Sequence, residues 1–218
     1  MAKFNEYCDF EECEEHSEEW HKLRQRAIGG SDAGTVLGLN QYKTVVDLWK
    51  EKISKELPEN INNPAMEFGS KSEEHIRSIW SLKNLKNVIK INGTLISRDY
   101  PFMAVNLDGY IQEDNGLMEI KTTTIQNSSM LDKWKDGNIP DQYFTQCLHA
   151  LAVTGADYII LFALLYFAAP FNNRVAEFRE YKFIRSEVQE QIDYLIEEEG
   201  KFWDLVKKKE MPKLKIIF

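Results

Sequence analysis

The sequence predicts a mixed α/β fold in which helices occur towards both ends of the chain and a mixed β-sheet lies between them. Apolar residues recur at helical spacing between residues 17 and 84, and again after residue 185. Between these regions, short apolar segments alternate with Gly, Asn, Asp and Pro, which is typical of strands joined by turns. A chain of 218 residues, 43% of them hydrophobic, can bury one core. We therefore expect a single domain over residues 1–218.

Four helices are predicted in the first part of the chain. Ser17 is a favourable N-cap because acidic residues follow it. The Gly29-Gly30 turn precedes a helix that begins near Ser31, and Pro64 suits a first helical position. The predicted helices cover residues 17–25, 31 onwards, 44–55 and 64–84.

The middle and the end of the chain alternate between strand and helix patterns. Five successive antiparallel strands are predicted, at residues 87–92, 94–98, 102–106, 109–113 and 116–123. The remaining elements are a helix at 141–153, strands at 158–167 and 175–184 joined by residues 170–173, and a helix from Ser186 to about Lys208. Gly155 can end the first of these helices. The apolar stripe of the last helix is broken once, by Glu199.

Composition excludes several classes of protein. Cys8, Cys13 and Cys147 are too few for a disulfide framework or a four-cysteine metal site. No apolar run is long enough to span a bilayer, and the first residues lack a signal-peptide pattern, so we expect a cytoplasmic location without membrane contact. The net charge of −8 argues against nucleic-acid binding through overall charge. The acids cluster at residues 11–19 and 197–199, however, which permits a local basic face; we expect residues 11–19 to form a solvated helix face.

The segment that begins at Asn106, NLDGYIQEDNGLMEIKTTT, carries the most informative polar residues. Side chains alternate across a strand, so Glu119 and Lys121 point to one face while Ile120 points into the core. The return of a hairpin places Asp108 beside them. Carboxylates hold Mg²⁺ or Mn²⁺, and an adjacent ammonium group can stabilise charge on a phosphate. The pattern predicts a metal-dependent phosphodiesterase site, with a backbone carbonyl as an extra ligand; the alternative is an exposed charge pair beside a turn.

Three other segments carry candidate site residues. Arg24 and Ser31 flank a glycine turn that can bind an anion, although a plain helix cap explains Ser31 equally well. Glu73 lies on a helix four residues after Gly69, where a carboxylate can complete a metal site. Gln146 lies among apolar residues of a helix, and a buried amide needs partners such as a phosphate oxygen or water.

Two nearby features have simpler interpretations. His149, three residues after Gln146, is interpreted as a structural histidine with satisfied hydrogen bonds. The hydroxyl groups of Thr122, Thr123 and Thr124 can touch a DNA backbone, but a run of threonines at a strand end needs no special reason.

The order of these motifs, R-x6-S, G-x3-E, D-G, E-x-K and then Q on a helix, resembles that of the phage-type recombination exonucleases. These comprise the lambda exonuclease family and its YqaJ-like viral recombinase relatives, in the PD-(D/E)xK superfamily. The segment RQRAIGGSDAGTVLGLNQYK, residues 24–43, is especially similar to the YqaJ-like pattern. The resemblance implies a restriction-endonuclease-like core and a 5′→3′ double-strand exonuclease that leaves 3′ overhangs for single-strand annealing. It also implies two Mg²⁺ ions, for which Mn²⁺ can substitute.

The resemblance assigns a role to each matching residue. The metal ligands are Asp108, Glu119, the carbonyl of Ile120 and, at the second metal, Glu73. Lys121 corresponds to the catalytic lysine, which acts with these carboxylates. The terminal 5′-phosphate is held by Arg24, Ser31 and Gln146. Family members form ring-shaped homotrimers around double-stranded DNA and work with a single-strand annealing protein.

Two features depart from this pattern. Where the family has a serine that helps to bind the phosphate, this chain has Asn106, which can still donate a hydrogen bond. The sequence pI of about 5.2 requires positive charge to be concentrated locally; the candidates are Lys43, Lys71, Lys133 and Lys135. An endonuclease with the same chemistry and a non-catalytic protein that binds DNA ends both stay open as alternatives.

Overall fold

A computed structural model describes residues 3–57, 63–168 and 176–213. Within these ranges the helices are α1 (Glu18–Gln25), α2 (Gly30–Val36), α3 (Val45–Ile53), α4 (Pro64–Asn84), α5 (Ser128–Asp132), α6 (Asp141–Thr154) and α7 (Gln189–Lys208). The strands are β1 (Cys8–Glu11), β2 (Ile28–Gly29), β3 (Val88–Ile89), β4 (Thr94–Ser97), β5 (Met103–Val105), β6 (Gly109–Ile111), β7 (Gly116–Ile125), β8 (Tyr158–Phe167) and β9 (Ala176–Ile184). The predicted connection at residues 170–173, and residue 175, lie outside the described residues.

The strands form two mixed sheets, with orders β1-β4-β5-β2 and β3-β6-β7-β8-β9. β2 is parallel to β5 and β7 is parallel to β8, while the other pairs are antiparallel. The predicted mixed α/β class with helices flanking mixed sheet is therefore confirmed. The expectation of one antiparallel succession is wrong, because β3 pairs with β6 and the intervening β4 and β5 belong to the other sheet.

Gly93 explains where the chain changes sheets. It lies between β3 and β4 with a φ of 155°, a conformation that side chains disfavour. A Cβ atom at this position would lie 2.5 Å from the carbonyl oxygen of Glu11 in β1. The absence of a side chain thus lets the chain leave β3 and run close beside β1.

β8 is the centre of the core, with buried side chains on both faces. Ile159 and Leu161 belong to the apolar cluster on the side of α6 and α7. Ile160 and Phe162 belong to a second cluster that includes Trp80 of α4. Because side chains alternate along a strand, a continuous apolar run fits a strand that is covered on both sides. This packing fixes β7, the parallel neighbour of β8, between α4 and α6.

α2 and α6 pack closely through Gly34. A Cβ atom there would lie 3.1 Å from Oγ1 of Thr145 and 3.2 Å from Cα of Gln142. α6 ends, as predicted, at Gly155, whose φ is 64°. Among the described residues, no helix is both long and apolar enough to cross a bilayer.

Candidate active site

The polar residues singled out from the sequence surround one cleft of about 180 Å³. β7 and the start of β6 form one wall, and α4 approaches from a second side. The turn between β2 and α2 faces them, together with α6. The predicted residues that line the cleft are Arg24, Ser31, Glu73, Asn106, Asp108, Glu119, Ile120, Lys121 and Gln146.

β7 presents Glu119 and Lys121 on one face, as the alternation of strand side chains predicts. Nζ of Lys121 donates to Oε1 of Glu119 at 2.5 Å, and Nε2 of Gln146 donates to the same oxygen at 2.5 Å. Ile120 is buried between them. Gln146 of α6 therefore contacts β7 directly.

Asp108 lies beside Glu119 because of the β6–β7 register. Gly109 pairs with Met118, so the preceding residue, Asp108, comes level with Glu119. Oδ2 of Asp108 accepts a hydrogen bond from the backbone N–H of Ile120 at 2.8 Å. The predicted convergence of the two acids on a hairpin is what the structure shows.

α4 brings Glu73 to the same group. Arg77, one helical turn later, is buried and its Nε donates to the carbonyl oxygen of Asp108 at 2.7 Å. This bond fixes α4 against the turn that carries Asp108. Oε2 of Glu73 lies 3.6 Å from Nζ of Lys90, which is also 3.4 Å from Oε2 of Glu15.

Three carboxyl groups, those of Glu73, Asp108 and Glu119, crowd together in the cleft. Burial, and then the charge of Asp108, raise the pKa of Glu119 to about 8 and that of Glu73 to about 7. Burial also raises the pKa of Asp108. Burial by itself lowers the pKa of Lys121, but Glu119 and Asp108 more than reverse this, so Lys121 stays charged at neutral pH.

This donor set fits a hard divalent cation. Carboxylate oxygens and the Ile120 carbonyl are the ligands that Mg²⁺ prefers, and a cation would relieve the crowding of negative charge. As they stand, no three Asp, Glu, His or Cys side chains among the described residues lie close enough to hold a metal ion. In this arrangement Lys121 and Gln146 bind Glu119, and Lys90 lies against Glu73.

At the other end of the cleft, Arg24 and Ser31 lie side by side. Nη2 of Arg24 donates to Oγ of Ser31 at 2.9 Å, and the guanidinium group lies over the Trp20 ring at 4.7 Å. Ser31 is in the first turn of α2, where backbone N–H groups have no partner within the helix. The two residues therefore form a small pocket with a positive charge, a hydroxyl group and a helix N-terminus.

Asp32 and Lys52 support this pocket, and the sequence did not identify either. Lys52 is buried against Asp32, with Nζ 2.8 Å from Oδ2, and it also donates to the carbonyl oxygens of Arg24 and Ala27. Asp32 accepts from the backbone N–H of Gly29. Burial by itself raises the pKa of Asp32, but Lys52, Arg24 and Lys43 more than offset this and hold it well below its usual range. A lysine twenty residues from its partner leaves no pattern in the sequence.

Asn106 has its amide occupied within the protein. Its Nδ2 donates to Thr94 Oγ1 and to the Gly93 carbonyl oxygen, both at 3.0 Å, and its Oδ1 accepts from Nε1 of Trp20 at 3.2 Å. Asn106 lines the cleft, but in this arrangement it orients Trp20, which in turn lies under Arg24.

His149 has the structural environment that the sequence analysis predicted. It is fully buried, its Nδ1 lies 2.9 Å from Oε1 of Glu199, and its Nε2 lies 3.0 Å from the carbonyl oxygen of Ala104. Burial by itself lowers the pKa of His149, but the Glu199 carboxylate raises it above the usual value. Glu199, the break in the apolar stripe of α7, is thus the partner of a buried histidine.

The acidic residues 11–19 do not form the helix face that was expected. Glu11 ends β1 and pairs with Arg26, and α1 begins only at Glu18. Glu15, in the turn between them, lines the cleft. The expectation is wrong because β1 pairs with β4 as far as Glu11, and residues 12–17 form the loop and turn that precede α1.

The predicted DNA-channel lysines are dispersed. Nζ of Lys43 lies 3.7 Å from Oδ1 of Asp32, the buried acid beside Arg24. Lys133 lines a second cavity, together with residues 122–124 and Tyr143. Lys71 and Lys135 pair with acids on their own helices or turns at the surface.

Known proteins share sequence and fold with this chain. Residues 19–157 match the YqaJ-like viral recombinase domain. The chain is 32% identical over 190 residues to the uncharacterized protein YqaJ of Bacillus subtilis (strain 168). The aligned region covers 86% of this chain and 55% of that protein. It is also 26% identical over 163 residues to protein D345L of African swine fever virus (strain Badajoz 1971 Vero-adapted). That alignment covers 65% of this chain and 46% of the viral protein. The chain spans about half the length of these relatives.

Two solved structures share the fold. An alkaline exonuclease (LHK-Exo) from Laribacter hongkongensis superposes with a TM-score of 0.64 at 17% identity, over 89% of this chain and 94% of that one. A phage related exonuclease from Haemophilus somnus 129PT superposes with a TM-score of 0.54 at 13% identity, over 87% of this chain and 98% of that one. The restriction-endonuclease-like core that the resemblance implies is thereby confirmed. The chain belongs to the YqaJ-like viral recombinase family.

Proposed function

We propose that this protein is a metal-dependent 5′→3′ exonuclease that resects the ends of linear duplex DNA and leaves 3′ single-stranded overhangs. One observation carries the proposal: a carboxylate–lysine group and a separate anion pocket face the same small cleft. The group is Asp108, Glu119 and Lys121, and the pocket is Arg24 with Ser31.

The cluster of Asp108, Glu119 and Lys121 would carry out the hydrolysis. Asp108, Glu119 and the Ile120 carbonyl would hold one Mg²⁺ ion, and Glu73 a second, with Mn²⁺ as a substitute. Bound metal would polarise the scissile phosphate and lower the pKa of a water molecule. Lys121 is held charged beside these acids and would stabilise the negative charge that grows on the phosphate oxygens. The resemblance assigns Gln146 to the terminal 5′-phosphate, and its hydrogen bond to Glu119 would also keep that carboxylate in position.

The anion pocket supplies end specificity. A terminal 5′-phosphate would replace the internal contact of Arg24 with Ser31 and accept hydrogen bonds from both. Asp32 and Lys52 fix the backbone around Arg24, so the pocket is formed before substrate arrives. A site that requires a terminal phosphate acts on ends, which distinguishes an exonuclease from an endonuclease with the same chemistry.

The resemblance to lambda exonuclease extends the proposal to assembly. On that ground, the protein would act as a homotrimer around DNA, in concert with a single-strand annealing protein.

The test uses one plasmid in two forms, linear and closed circular, with Mg²⁺ and with or without EDTA. Loss of the linear form alone, abolished by EDTA, is the expected result. Labels on the 5′ or 3′ strand then give the direction, with release from the 5′ end expected. Cutting of the circle would replace the proposal by an endonuclease, and no cutting of either form would favour a protein that only binds DNA ends.

A further inference from the structure

Lys90 lies at the edge of the cluster of Asp108, Glu119 and Lys121, and it belongs to none of the sequence motifs. β3 pairs with β6 so that Ile89 lies opposite Tyr110. Continued by one residue, this register brings Lys90 level with Gly109, next to Asp108. The backbone pairing thus delivers an ammonium group to the acidic side of the cleft.

The ammonium group is shared by two carboxylates. Nζ of Lys90 lies 3.6 Å from Oε2 of Glu73 and 3.4 Å from Oε2 of Glu15. The Glu15 side chain is more exposed than that of Glu73, at 39% against 22%. Lys90 therefore has one partner inside the proposed metal site and one at its rim.

We propose that Lys90 is a resident counter-cation that competes with a divalent metal ion for Glu73, and so sets the metal affinity of this position. The proposal rests on the proposed function, in which Glu73 is a metal ligand. Both cations need the same carboxylate, and like charges this close repel each other. When metal binds, Lys90 gives up Glu73 and keeps Glu15, which retains it at the rim.

Competition has two linked consequences. Lys90 stabilises the metal-free protein, because it compensates Glu73. It weakens metal binding by a corresponding factor, because two ligands that compete for one group affect each other reciprocally. A lysine with a purely structural role would lower stability on removal, with or without metal, and would leave metal affinity unchanged.

The experiment is calorimetric titration of the full chain with Mn²⁺ in the absence of DNA. Lys90→Gln should bind Mn²⁺ more tightly than the wild type, on the order of fivefold, as expected for loss of a partly exposed ion pair. Lys90→Arg keeps the charge and should behave as the wild type. Lys83→Gln, which removes a surface lysine 3.5 Å from Glu180, is the matched control and should also leave the affinity unchanged.

Thermal unfolding provides the second measurement. Without metal, Lys90→Gln should melt below the wild type, and saturating Mn²⁺ should narrow the difference, because the wild type then keeps only the Lys90–Glu15 contact. Equal or weaker Mn²⁺ binding by Lys90→Gln would overturn the proposal. Asp108→Asn separates failure of the proposed metal site from failure of the proposed role of Lys90. If Asp108→Asn leaves Mn²⁺ binding unchanged, the metal site itself is wrongly assigned. If it abolishes binding while Lys90→Gln has no effect, only the role of Lys90 is refuted.

Discussion

Nζ of Lys121 lies 2.5 Å from Oε1 of Glu119, two residues earlier on the same face of β7. The carboxylates around Lys121 keep its pKa above the usual lysine value despite burial. A lysine in this state cannot serve as a base at neutral pH. In the proposed reaction, Lys121 would act as a fixed positive charge.

Replacement of this charge should separate catalysis from binding. Lys121→Ala should reduce the single-turnover rate on linear duplex DNA by about 10²–10³-fold, as for loss of one group that stabilises transition-state charge. Mn²⁺ binding, measured by calorimetry, should persist, because the carboxylates remain. Lys83→Ala, at an exposed ion pair, is the control and should cleave normally. Normal cleavage by Lys121→Ala would remove this residue from the mechanism.

Arg24 should determine the response to the end of the DNA. It faces Ser31 in the anion pocket, and a hydrogen bond to a charged group contributes about 1.5–3 kcal/mol, or roughly tenfold to a hundredfold. Arg24→Ala should therefore lose that factor on 5′-phosphorylated ends and much less on 5′-hydroxyl ends. Arg26→Ala is the matched control, because Arg26 instead pairs with Glu11 at the surface. Equal losses on both ends would show that Arg24 does not bind the phosphate.

Asp32 should give the protein part of its acid sensitivity. Its pKa is depressed in the folded state, so its contribution to stability is present above the ordinary aspartate pKa and is lost as the pH falls below about 4. Asp32→Asn leaves the buried Lys52 without its anion, which should cost about 3–5 kcal/mol at pH 7. Urea unfolding at pH 7 and pH 3 measures both effects, and the difference between variant and wild type should shrink at pH 3. Asp47→Asn, at an exposed helix cap, should have a much smaller effect at pH 7. A pH-independent difference for Asp32→Asn would contradict this role.

The sequence predicted those elements whose signals are local. The N-cap of α1, the proline at the start of α4, the glycine at the end of α6 and the apolar run of β8 all lie where they were expected. β1 was missed because its alternating segment, Cys8–Glu11, is only four residues long, and its strand is completed by pairing with β4, far along the chain. The division into two sheets was missed for the same reason, since local patterns do not specify which strands pair.

For the site too, local features could be predicted and contacts between distant elements could not. Glu119 and Lys121 could be placed on one face because the period of a strand is fixed. By contrast, the contacts Asp32–Lys52 and Glu73–Lys90 join different elements, and only the tertiary structure brings them together. The use of Asn106 to hold Trp20 is of this kind too. Sequence motifs more readily identify the residues that would contact a substrate than the residues that position them.

Glu199 should be essential to the core although it is distant from the proposed chemistry. The carbonyl oxygen of Ala104 accepts a hydrogen bond from Nε2 of His149. The partner of Nδ1 is Glu199, whose carboxylate stabilises the charged form of the imidazole. Glu199→Ala should cost about 3–5 kcal/mol of unfolding free energy, because it removes the anion that pairs with Nδ1 of the buried imidazole. Glu197→Ala, two residues earlier on the exposed face, should unfold like the wild type. The double variant His149→Phe/Glu199→Leu should be more stable than the sum of its single changes, since removal of both partners leaves no buried polar group. Additive losses in urea unfolding would show that the two side chains do not depend on each other.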